Sequence, residues 1–215
     1  MQLAVFDLDG TITRHDTLVP YVFGFLMRNP RRFLRLPGVV PAIVSFALRR
    51  SDRGALKGAL LHGTLGGVTR AQLDAWTERF VKSLLTHGVF NDALETIRSH
   101  RGEGDVLVLM SASPDLYVPV IARQLGFTEV ACTGIRWNGD RLDGWLATPN
   151  CRGVEKVRRF EELRRRHAGT ATVAYGNAAS DLEHLKLADR GVLVNGSEAA
   201  RRHAARTGVN RADWR

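Results

Sequence analysis

The chain has 215 residues, 44% hydrophobic and 25% charged, which suffices to bury a core as one domain or as a core with an insertion. Its two cysteines are too few for a disulfide framework or a zinc site, which favours a reducing cytoplasm. The net charge of +9 suits anionic substrates or a membrane surface, but no basic run interleaved with aromatic residues supports a nucleic-acid partner, and none is expected.

Residues 3–6 form a short apolar run that predicts a buried β-strand. Asp7 and Asp9 follow where this strand ends, and alternate side chains of a strand point to the same side. Gly10, which precedes Thr11, lets the backbone turn sharply. Two close carboxylates repel unless a cation or a shared proton stabilises them, so the pair is either a site for Mg²⁺ and phosphate chemistry or a solvated turn. The same two acids stand where the apolar part of a signal peptide would be, so no secretory signal is expected.

From about Thr17 to His100 the pattern is helical and locally very apolar. Two apolar stretches, Leu18–Met27 and Leu36–Leu48, are flanked by arginines, and no apolar stretch reaches the roughly 18 to 20 residues that a membrane-spanning helix needs. They either pack against the core or lie in a membrane interface. The other predicted elements of this part are a loop at Gly63–Gly67, a helix at Arg70–Leu85 with Thr69 as its N-cap, and a helix from Asn91 or Asp92 to about His100.

After residue 100 strands and helices alternate, which predicts a parallel α/β sheet. An Asn138-Gly139 turn between residues 130–137 and 141–147 predicts a hairpin. The arginine-rich tail from Ala199 is predicted to end in a helix and a loose terminus. The other predicted elements are strands at Asp105–Met110, Ala171–Tyr175 and Gly191–Val194, and helices at Asp115–Leu125, Val154–His167 and Asp181–Leu187.

Polar residues stand where the predicted parallel strands end, which is where open α/β sheets bind ligands. Ser111 ends the second strand, Asn177 and Asp181 follow the third, and Lys156 opens the charged helix. Taken singly, Ser111 could be a loop residue, Lys156 a solvated helix residue and Asp181 an acid favoured by a helix dipole; their order and placement single them out. The chain has only four lysines, and each is therefore of interest: Lys57, Lys82, Lys156 and Lys186.

These motifs in this order resemble those of the haloacid dehalogenase (HAD) superfamily: DxDGT, a Ser or Thr ending an apolar strand, a Lys opening a helix, and a late acidic motif. The resemblance implies an α/β fold, with a HAD-like Rossmannoid parallel sheet core of residues 1–13 and 101–215 and an inserted all-helical cap of residues 14–100. The position of the cap resembles the phosphoserine-phosphatase-like subfamily. The apolar start of the cap, together with Cys151-x-Gly153-x-Glu155-Lys156-Val157, is similar to HAD-type phosphatidylglycerophosphate phosphatases.

The resemblance implies a Mg²⁺-dependent phosphomonoester hydrolase that acts through an aspartyl-phosphate. In this family Asp7 would be the nucleophile and Asp9 the general acid/base. Ser111 would hold phosphoryl oxygens and Lys156 would screen charge between nucleophile and phosphate. Further contacts to substrate would come from Gly10, Thr11, Ala112, Ser113 and Asp16, the last of which faces a substrate amino group or caps the helix that follows it. Mg²⁺ would be held by Asp7, the backbone carbonyl of Asp9, Asn177 and Asp181.

One position departs from the family pattern, because Asn177 stands where an aspartate is usual. An amide oxygen carries no charge, so we expect weaker metal binding rather than loss of activity. We expect the substrate to be a small phosphorylated alcohol or amino alcohol, ahead of a lipid phosphate. The alternative is a membrane-associated or regulatory HAD-fold binding protein with little turnover. A cytoplasmic location is expected, with peripheral contact at the inner face of the membrane left as an alternative; the oligomeric state is not predicted.

Overall fold

The computed structural model describes residues 1–215 and contains eight strands and nine α-helices. The strands are β1 (Leu3–Phe6), β2 (Val106–Pro114), β3 (Glu129–Thr133), β4 (Ile135–Asn138), β5 (Arg141–Leu146), β6 (Thr172–Gly176), β7 (Arg190–Val194) and β8 (Asn210–Ala212). The helices are α1 (Leu18–Arg28), α2 (Val40–Ala47), α3 (Arg53–Leu65), α4 (Arg70–His87), α5 (Asn91–Gly102), α6 (Val118–Leu125), α7 (Val154–Arg166), α8 (Leu182–Leu187) and α9 (Glu198–Ala205), with a 3₁₀ helix at Pro30–Val39.

Six of the strands form one parallel sheet in the order β3–β2–β1–β6–β7–β8. Strands β2 and β3 lie on one side of β1, and strands β6, β7 and β8 lie on the other side. Phe6 of β1 lies opposite Leu109 of β2 and Tyr175 of β6, so the carboxyl ends of these three strands are neighbours. A parallel sheet binds its ligands at such a reversal of strand order. The predicted fold class, a parallel α/β sheet with a helical insert, is confirmed.

The central strand is buried on both faces because helices cover both sides of the sheet. Ala4 and Phe6 pack into the larger of two apolar clusters, while Leu3 and Val5 pack into the other, around Phe160 of α7. This alternation is the two-residue period of a strand. It also explains why a run of four apolar residues without polar interruption is a strand here. Asp7, the first polar residue after the run, therefore lies at the carboxyl end of this central strand.

The part of the chain between β1 and β2 contains only helices as regular elements, as predicted. Helices α1, α4 and α5 begin at the predicted residues and end one or two residues beyond the predicted ends. Thr69 is the N-cap of α4, because its side chain accepts a hydrogen bond from the Gln72 N–H, and the Gln72 side chain accepts from the Thr69 N–H in return. This reciprocal pair is the capping box that stabilises a helix start.

Two helical predictions need correction. The stretch Leu36–Leu48 is not one helix: it begins in the 3₁₀ helix, which contains Pro37, and becomes α-helical only at Val40. Proline has no N–H to donate, so Pro37 interrupts an α-helical ladder. The predicted loop Gly63–Gly67 is shorter than expected, because α3 continues to Leu65 and leaves the loop to begin at Gly66.

The second half of the chain departs from prediction at three places. Residues 130–137 are not one arm of a hairpin, because the chain leaves the main sheet at Gly134 and only β4 pairs with β5. A tight turn joins β4 to β5, but its two loop residues are Gly139, at φ +57°, and Asp140, because Asn138 pairs with Arg141 as the last residue of β4. Helix α6 begins three residues later than predicted. The tail is not loose, because β8 adds a parallel strand beside β7.

The inserted helices contact the core on two sides. Helix α3 packs against β5 of the hairpin, and α5 packs against β2 of the main sheet. The division of the chain at residues 13 and 101 stays a prediction, since the contacts of α5 tie the end of the insert to the core. No helix combines the length and the hydropathy that crossing a lipid bilayer would require.

Candidate active site

A cleft of about 710 Å³ lies between the carboxyl ends of the central strands and helices α1, α2 and α3. Its floor is acidic, and the insert contributes both apolar side chains, such as Val19 of α1 and Phe46 of α2, and the basic Arg53 and Lys57 of α3. Most residues predicted for the site line this cleft, although they come from four separate parts of the chain. They are Asp7, Asp9, Gly10, Asp16, Ala112, Ser113, Lys156, Asn177 and Asp181.

Lys156 joins two of the predicted carboxylates. Its Nζ donates to Asp7 Oδ1 at 2.6 Å and to Asp181 Oδ1 at 2.8 Å. Asp7 keeps its second oxygen, Oδ2, close to the hydroxyl of Thr11, which donates at 3.1 Å. The lysine is only 2% exposed, because the first turn of α7 points it into the core below the cleft. A solvated helix residue, the alternative for Lys156, is therefore wrong.

The buried charged groups change one another's pKa. Burial raises the pKa of Asp7 above the ordinary carboxylate range; Lys156 lowers it, and the neighbouring Asp181 and Asp9 raise it further. Burial alone would lower the pKa of Lys156, but the two carboxylates outweigh burial and raise it, so the ammonium stays charged. Burial also acts to raise the pKa of Asp181, yet Lys156 holds it below its usual value. Two carboxylates share the one Lys156 ammonium, and Asp9 lies close enough to raise the pKa of Asp7, so carboxyl groups outnumber ammonium groups at the floor of the cleft.

Asp9 is held by hydrogen bonds on both of its oxygens. The Thr17 N–H and hydroxyl donate to Oδ1 at 2.8 and 2.6 Å, and the Ser113 hydroxyl donates to Oδ2 at 2.6 Å. Tyr117 donates in turn to Ser113 Oγ at 3.1 Å. Burial raises the pKa of Asp9 even though these donors lower it. A carboxyl group whose pKa is raised carries a proton more readily at neutral pH, as a general acid must.

Ser111 lies deeper than the other predicted residues. It is fully buried, does not line the cleft, and accepts the Ser113 N–H on its Oγ at 3.0 Å. Thr11 also stands behind the cleft and reaches it only through Asp7. Of the two serines near the end of β2, only Ser113 lines the cleft. The sequence favoured Ser111 because the apolar run ends at Met110, whereas β2 continues to Pro114.

Asn177 lies directly over Gly10. A Cβ atom at residue 10 would come within 2.0 Å of Asn177 Nδ2, and Gly10 has φ +77°, a conformation that other residues rarely adopt. The glycine therefore permits both the turn after Asp9 and the close approach of Asn177. This approach brings the last motif of the chain against the first.

Asp16 lies at the mouth of the cleft and is exposed. Its Oδ1 accepts the Leu18 N–H at 3.0 Å, at the start of α1. Both interpretations of this residue therefore keep support: it bonds the helix start and it faces the cleft.

Several residues for which the sequence predicts no role lie at the cleft. Lys57 of α3 donates to Asn150 Oδ1 at 2.6 Å and to the Ala112 carbonyl. Thr17 and Tyr117, described above, complete the surroundings of Asp9. The only sequence signal for any of them was the scarcity of lysine, which drew attention to Lys57. The others belong to helices and loops whose facing side depends on the tertiary fold.

The profile of haloacid dehalogenase-like hydrolases matches residues 4–186 of the chain. Protein CicA of Caulobacter vibrioides is 35% identical over 192 residues, covering 87% of this chain and 83% of that protein. A probable phosphatase of Mycobacterium tuberculosis is 26% identical over 209 residues, covering 94% of this chain and 71% of that protein.

Solved structures share the fold. A protein of unknown function from Bordetella pertussis Tohama I superimposes with a TM-score of 0.82 at 23% identity, covering 98% of this chain and 97% of that one. A phosphoserine phosphatase, solved as a phospho-aspartyl intermediate analogue, superimposes with a TM-score of 0.65 at 16% identity, covering 94% of this chain and 90% of that one. At these identities the likeness concerns the arrangement of the chain and not the substrate.

Proposed function

The chain belongs to the haloacid dehalogenase-like hydrolase family, and on this premise we propose that it hydrolyses phosphate monoesters through an aspartyl-phosphate intermediate. One observation carries the proposal: the Asp7 carboxylate lies at the floor of the cleft, held by Lys156, with the hydrogen-bonded Asp9 two residues away. The resemblance of this chain to a probable phosphatase of M. tuberculosis supports the same class of reaction.

In the first step an Asp7 oxygen attacks phosphorus, and the bond between phosphorus and the ester oxygen breaks. Asp9 gives its proton to the departing alkoxide, which leaves as an alcohol. Lys156 compensates part of the phosphoryl charge, since its raised pKa keeps it protonated. The Ser113 and Thr17 donors keep the Asp9 carboxyl fixed while it loses the proton. Fixed donors cost no reorganisation at the moment of reaction.

In the second step a water molecule attacks the phosphorus of the acyl phosphate. Asp9, now ionised, accepts the proton of the water, and the bond between phosphorus and the Asp7 oxygen breaks. Inorganic phosphate leaves, Asp7 is restored as a carboxylate, and Asp9 is again protonated. One carboxyl group therefore serves as acid and then as base, and covalent catalysis divides a difficult hydrolysis into two easier displacements.

The donor set of the cleft fits Mg²⁺. No three His, Cys, Asp or Glu side chains are grouped as a metal site, but the proposed ligands include an amide oxygen and a backbone carbonyl besides carboxylates. The residues that would hold the ion are Asp7, Asp9 through its carbonyl, Asn177 and Asp181, all hard oxygen donors. The surplus of carboxylates over ammonium groups at the floor is what a divalent cation neutralises. When bound, the ion would supply charge stabilisation at the phosphoryl oxygens.

Replacing Asn177 by aspartate is expected to tighten Mg²⁺ binding by about tenfold, or ~1.4 kcal/mol, because a carboxylate adds charge where the amide has none. Calorimetric titration of Mg²⁺ into the phosphate-free protein measures this directly. The metal-free variant should unfold at a lower temperature than the natural protein, since the added carboxylate repels Asp7 and Asp181. Asn138→Asp, at the exposed end of β4, is the matched control. An unchanged dissociation constant for Asn177→Asp would remove residue 177 from the ligand set.

For the substrate we propose a small phosphorylated alcohol or amino alcohol. Asp16 puts a negative charge at the mouth of the cleft, and the exposed Arg53 and half-buried Arg152 put positive charges on its rim. A zwitterionic leaving group would complement both signs. The experiment is phosphate release from phosphoserine, phosphocholine and phosphatidylglycerophosphate, with and without Mg²⁺. Mg²⁺-dependent release from at least one ester is expected; no release from any of them would favour a binding protein that lacks turnover.

A second candidate, contact with a membrane and a lipid phosphate as substrate, is supported by the outer surface of the insert. No residue of α2 is buried, and on α1 large apolar side chains stand exposed at every fourth position. Val19 belongs both to this surface and to the cleft, so the two are continuous. We call this surface the apolar cap face; it consists of Val19, Phe23, Met27, Leu34, Val40, Ile43, Val44 and Leu48.

Exposed arginines flank the apolar cap face at Arg28, Arg31, Arg49 and Arg50. Apolar side chains beside cations fit the interface of an anionic bilayer, where each nearby arginine contributes about 1 kcal/mol. With the free cysteines Cys132 and Cys151, this supports a proposed cytoplasmic location with contact to the inner face of the membrane.

Vesicles of phosphatidylglycerol and phosphatidylcholine should co-sediment with the protein at low salt and release it as salt rises, because screening weakens surface attraction. The variant Ile43→Glu with Val44→Glu should lose at least about tenfold of this binding, since two apolar side chains are withdrawn from lipid. Val130→Glu, at an exposed position of β3, is the control. If the natural protein fails to sediment with anionic vesicles at low salt, membrane contact is excluded.

A further inference from the structure

Lys57 joins the inserted helices to the end of strand β2, and it is a second contact between the insert and the site besides that of Thr17 with Asp9. It lies on α3, and its Nζ donates to the Ala112 carbonyl and, at 2.6 Å, to Asn150 Oδ1, both on the core side of the cleft. The side chain is half-buried and lines the same cleft as Asp7 and Asp9. Most lysines are solvated surface charges, whereas Lys57 connects the insert to a main-chain carbonyl beside the proposed reacting groups.

The Ala112 carbonyl belongs to the same peptide unit as the Ser113 N–H. A peptide unit is planar, so fixing its carbonyl also fixes the direction of its N–H. That N–H donates to Ser111 Oγ at 3.0 Å, and the Ser113 side chain that follows donates to Asp9 Oδ2 at 2.6 Å. The orientation of one peptide plane therefore decides where Ser111 and Ser113 lie relative to Asp9.

The core holds this carbonyl from the opposite side. The Thr133 hydroxyl donates to the Ala112 carbonyl at 2.7 Å, and Thr133 is fully buried. Thr133 Oγ1 also accepts the Cys151 N–H at 3.1 Å, which ties the network to the loop that precedes Lys156. The core alone thus supplies one donor to the carbonyl, and the insert supplies the second through Lys57.

We propose that Lys57 is a positioning residue that couples the placement of the inserted helices to the orientation of the Ala112–Ser113 peptide, and through it to Asp9. When α3 is seated, the Lys57 ammonium donates the second hydrogen bond to the carbonyl, and the Ser113 hydroxyl stays on Asp9 Oδ2. When α3 moves away, Thr133 alone holds the peptide. This inference deepens the phosphatase proposal and rests on it for the reaction, but the coupling itself is a property of the protein without substrate.

The lowered pKa of Lys57 agrees with this partly buried placement. Burial lowers the pKa of Lys57 to about 8, while the negative charges of Asp9 and Asp16 act to raise it. The side chain therefore stays in the cleft at an electrostatic cost, which its two hydrogen bonds to the core offset.

The test replaces Lys57 by methionine, which keeps the length of the side chain and removes the donor, and by arginine, which keeps a donor. Lys82→Met, at an exposed position of α4, is the matched control. Hydrogen exchange of the Ser113 amide, followed by NMR without substrate, should accelerate about tenfold in Lys57→Met and return toward the natural rate in Lys57→Arg. In phosphate release Lys57→Met should lower kcat by about 10- to 100-fold and change KM less than about twofold, because misplacement acts on the reacting geometry.

The outcomes separate the possible failures. If the natural protein releases no phosphate but the Ser113 amide responds as expected, the coupling stands and the phosphatase proposal fails. If the exchange rate of Ser113 is the same in Lys57→Met as in the natural protein, the positioning role is overturned. A rise in KM at constant kcat would overturn it as well, by making Lys57 a substrate-binding residue. A lower melting temperature with unchanged exchange and kcat would reduce Lys57 to a structural contact.

Discussion

Replacement of Asp7 by asparagine is expected to abolish phosphate release while the fold persists. Asparagine has nearly the same shape, and its amide can still lie beside Lys156 and Thr11, whose donors now meet Asp7 at 2.6 and 3.1 Å. An amide is a far weaker nucleophile than a carboxylate, so no phosphoryl group can be transferred to it. The expected loss in kcat is at least about 10⁴-fold, as for other residues that form the covalent intermediate.

Two measurements check this result. Phosphate release from the best ester of the panel gives the rate, and acid quenching with ³²P-labelled ester should label the natural protein and leave Asp7→Asn unlabelled. Asp140→Asn, in the exposed hairpin turn, is the control and should keep full activity. A variant at residue 7 that keeps a rate close to the natural one would exclude Asp7 as the nucleophile. Circular dichroism of each variant separates loss of chemistry from loss of fold.

Lys156→Met is expected to destabilise the protein by about 3–5 kcal/mol, the usual effect of removing one partner of a buried ion pair. The lysine is 2% exposed and contacts both Asp7 and Asp181, which are themselves buried. Without it both carboxylates lie out of water with no counter-charge. Urea unfolding at pH 7 in the presence of a chelator measures the change. Lys186→Met removes an exposed pair with Glu183 and should cost less than about 0.5 kcal/mol.

The pH dependence of the Lys156→Met variant gives a second, sharper result. Burial already raises the pKa of Asp7 while Lys156 lowers it, and Lys156 holds the pKa of Asp181 below its usual value. Removing the lysine leaves burial unopposed, so the folded variant binds protons on these groups more readily than the unfolded chain does. Its unfolding free energy should therefore fall as pH rises above the ordinary carboxylate pKa and recover toward pH 5. A destabilisation that is the same at pH 5 and pH 7 would mean that lost packing, and not unpaired charge, is the cause.

Local sequence signals were sufficient for the central sheet and for membership of the family. The run 3–6 followed by Asp7 and Gly10 predicts a buried strand that ends in a sharp turn, and the structure has that strand at the centre of the sheet. Thr69 predicts a helix start that the capping box confirms. These features depend on neighbours within a few residues, which is why they could be predicted from the sequence. The four ordered motifs also predicted a HAD hydrolase, and the match over residues 4–186 confirms it.

Pairing between distant segments could not be predicted in the same way. Residues 130–137 alternate like one strand, but their first half pairs with β2 and their second half with β5. The tail forms the predicted helix, α9, and then the short strand β8, which exists because β7 presents an open edge beside it. A strand of three residues is too short to show a periodic pattern in the sequence. Whether it forms depends on the neighbouring strand with which it pairs.

Local sequence places Asp7 and Asp9 after β1 and Lys156 at the start of α7, and the resemblance to the family supplies their proposed roles. Which of these residues touch depends on the tertiary structure. The fold joins Lys156 to Asp7 and Asp181, places Ser111 behind Ser113, and brings Lys57 from the insert to the end of β2. A buried apolar run or a helix cap depends on neighbours within a few residues, whereas a hydrogen bond between groups a hundred residues apart depends on how every intervening helix packs.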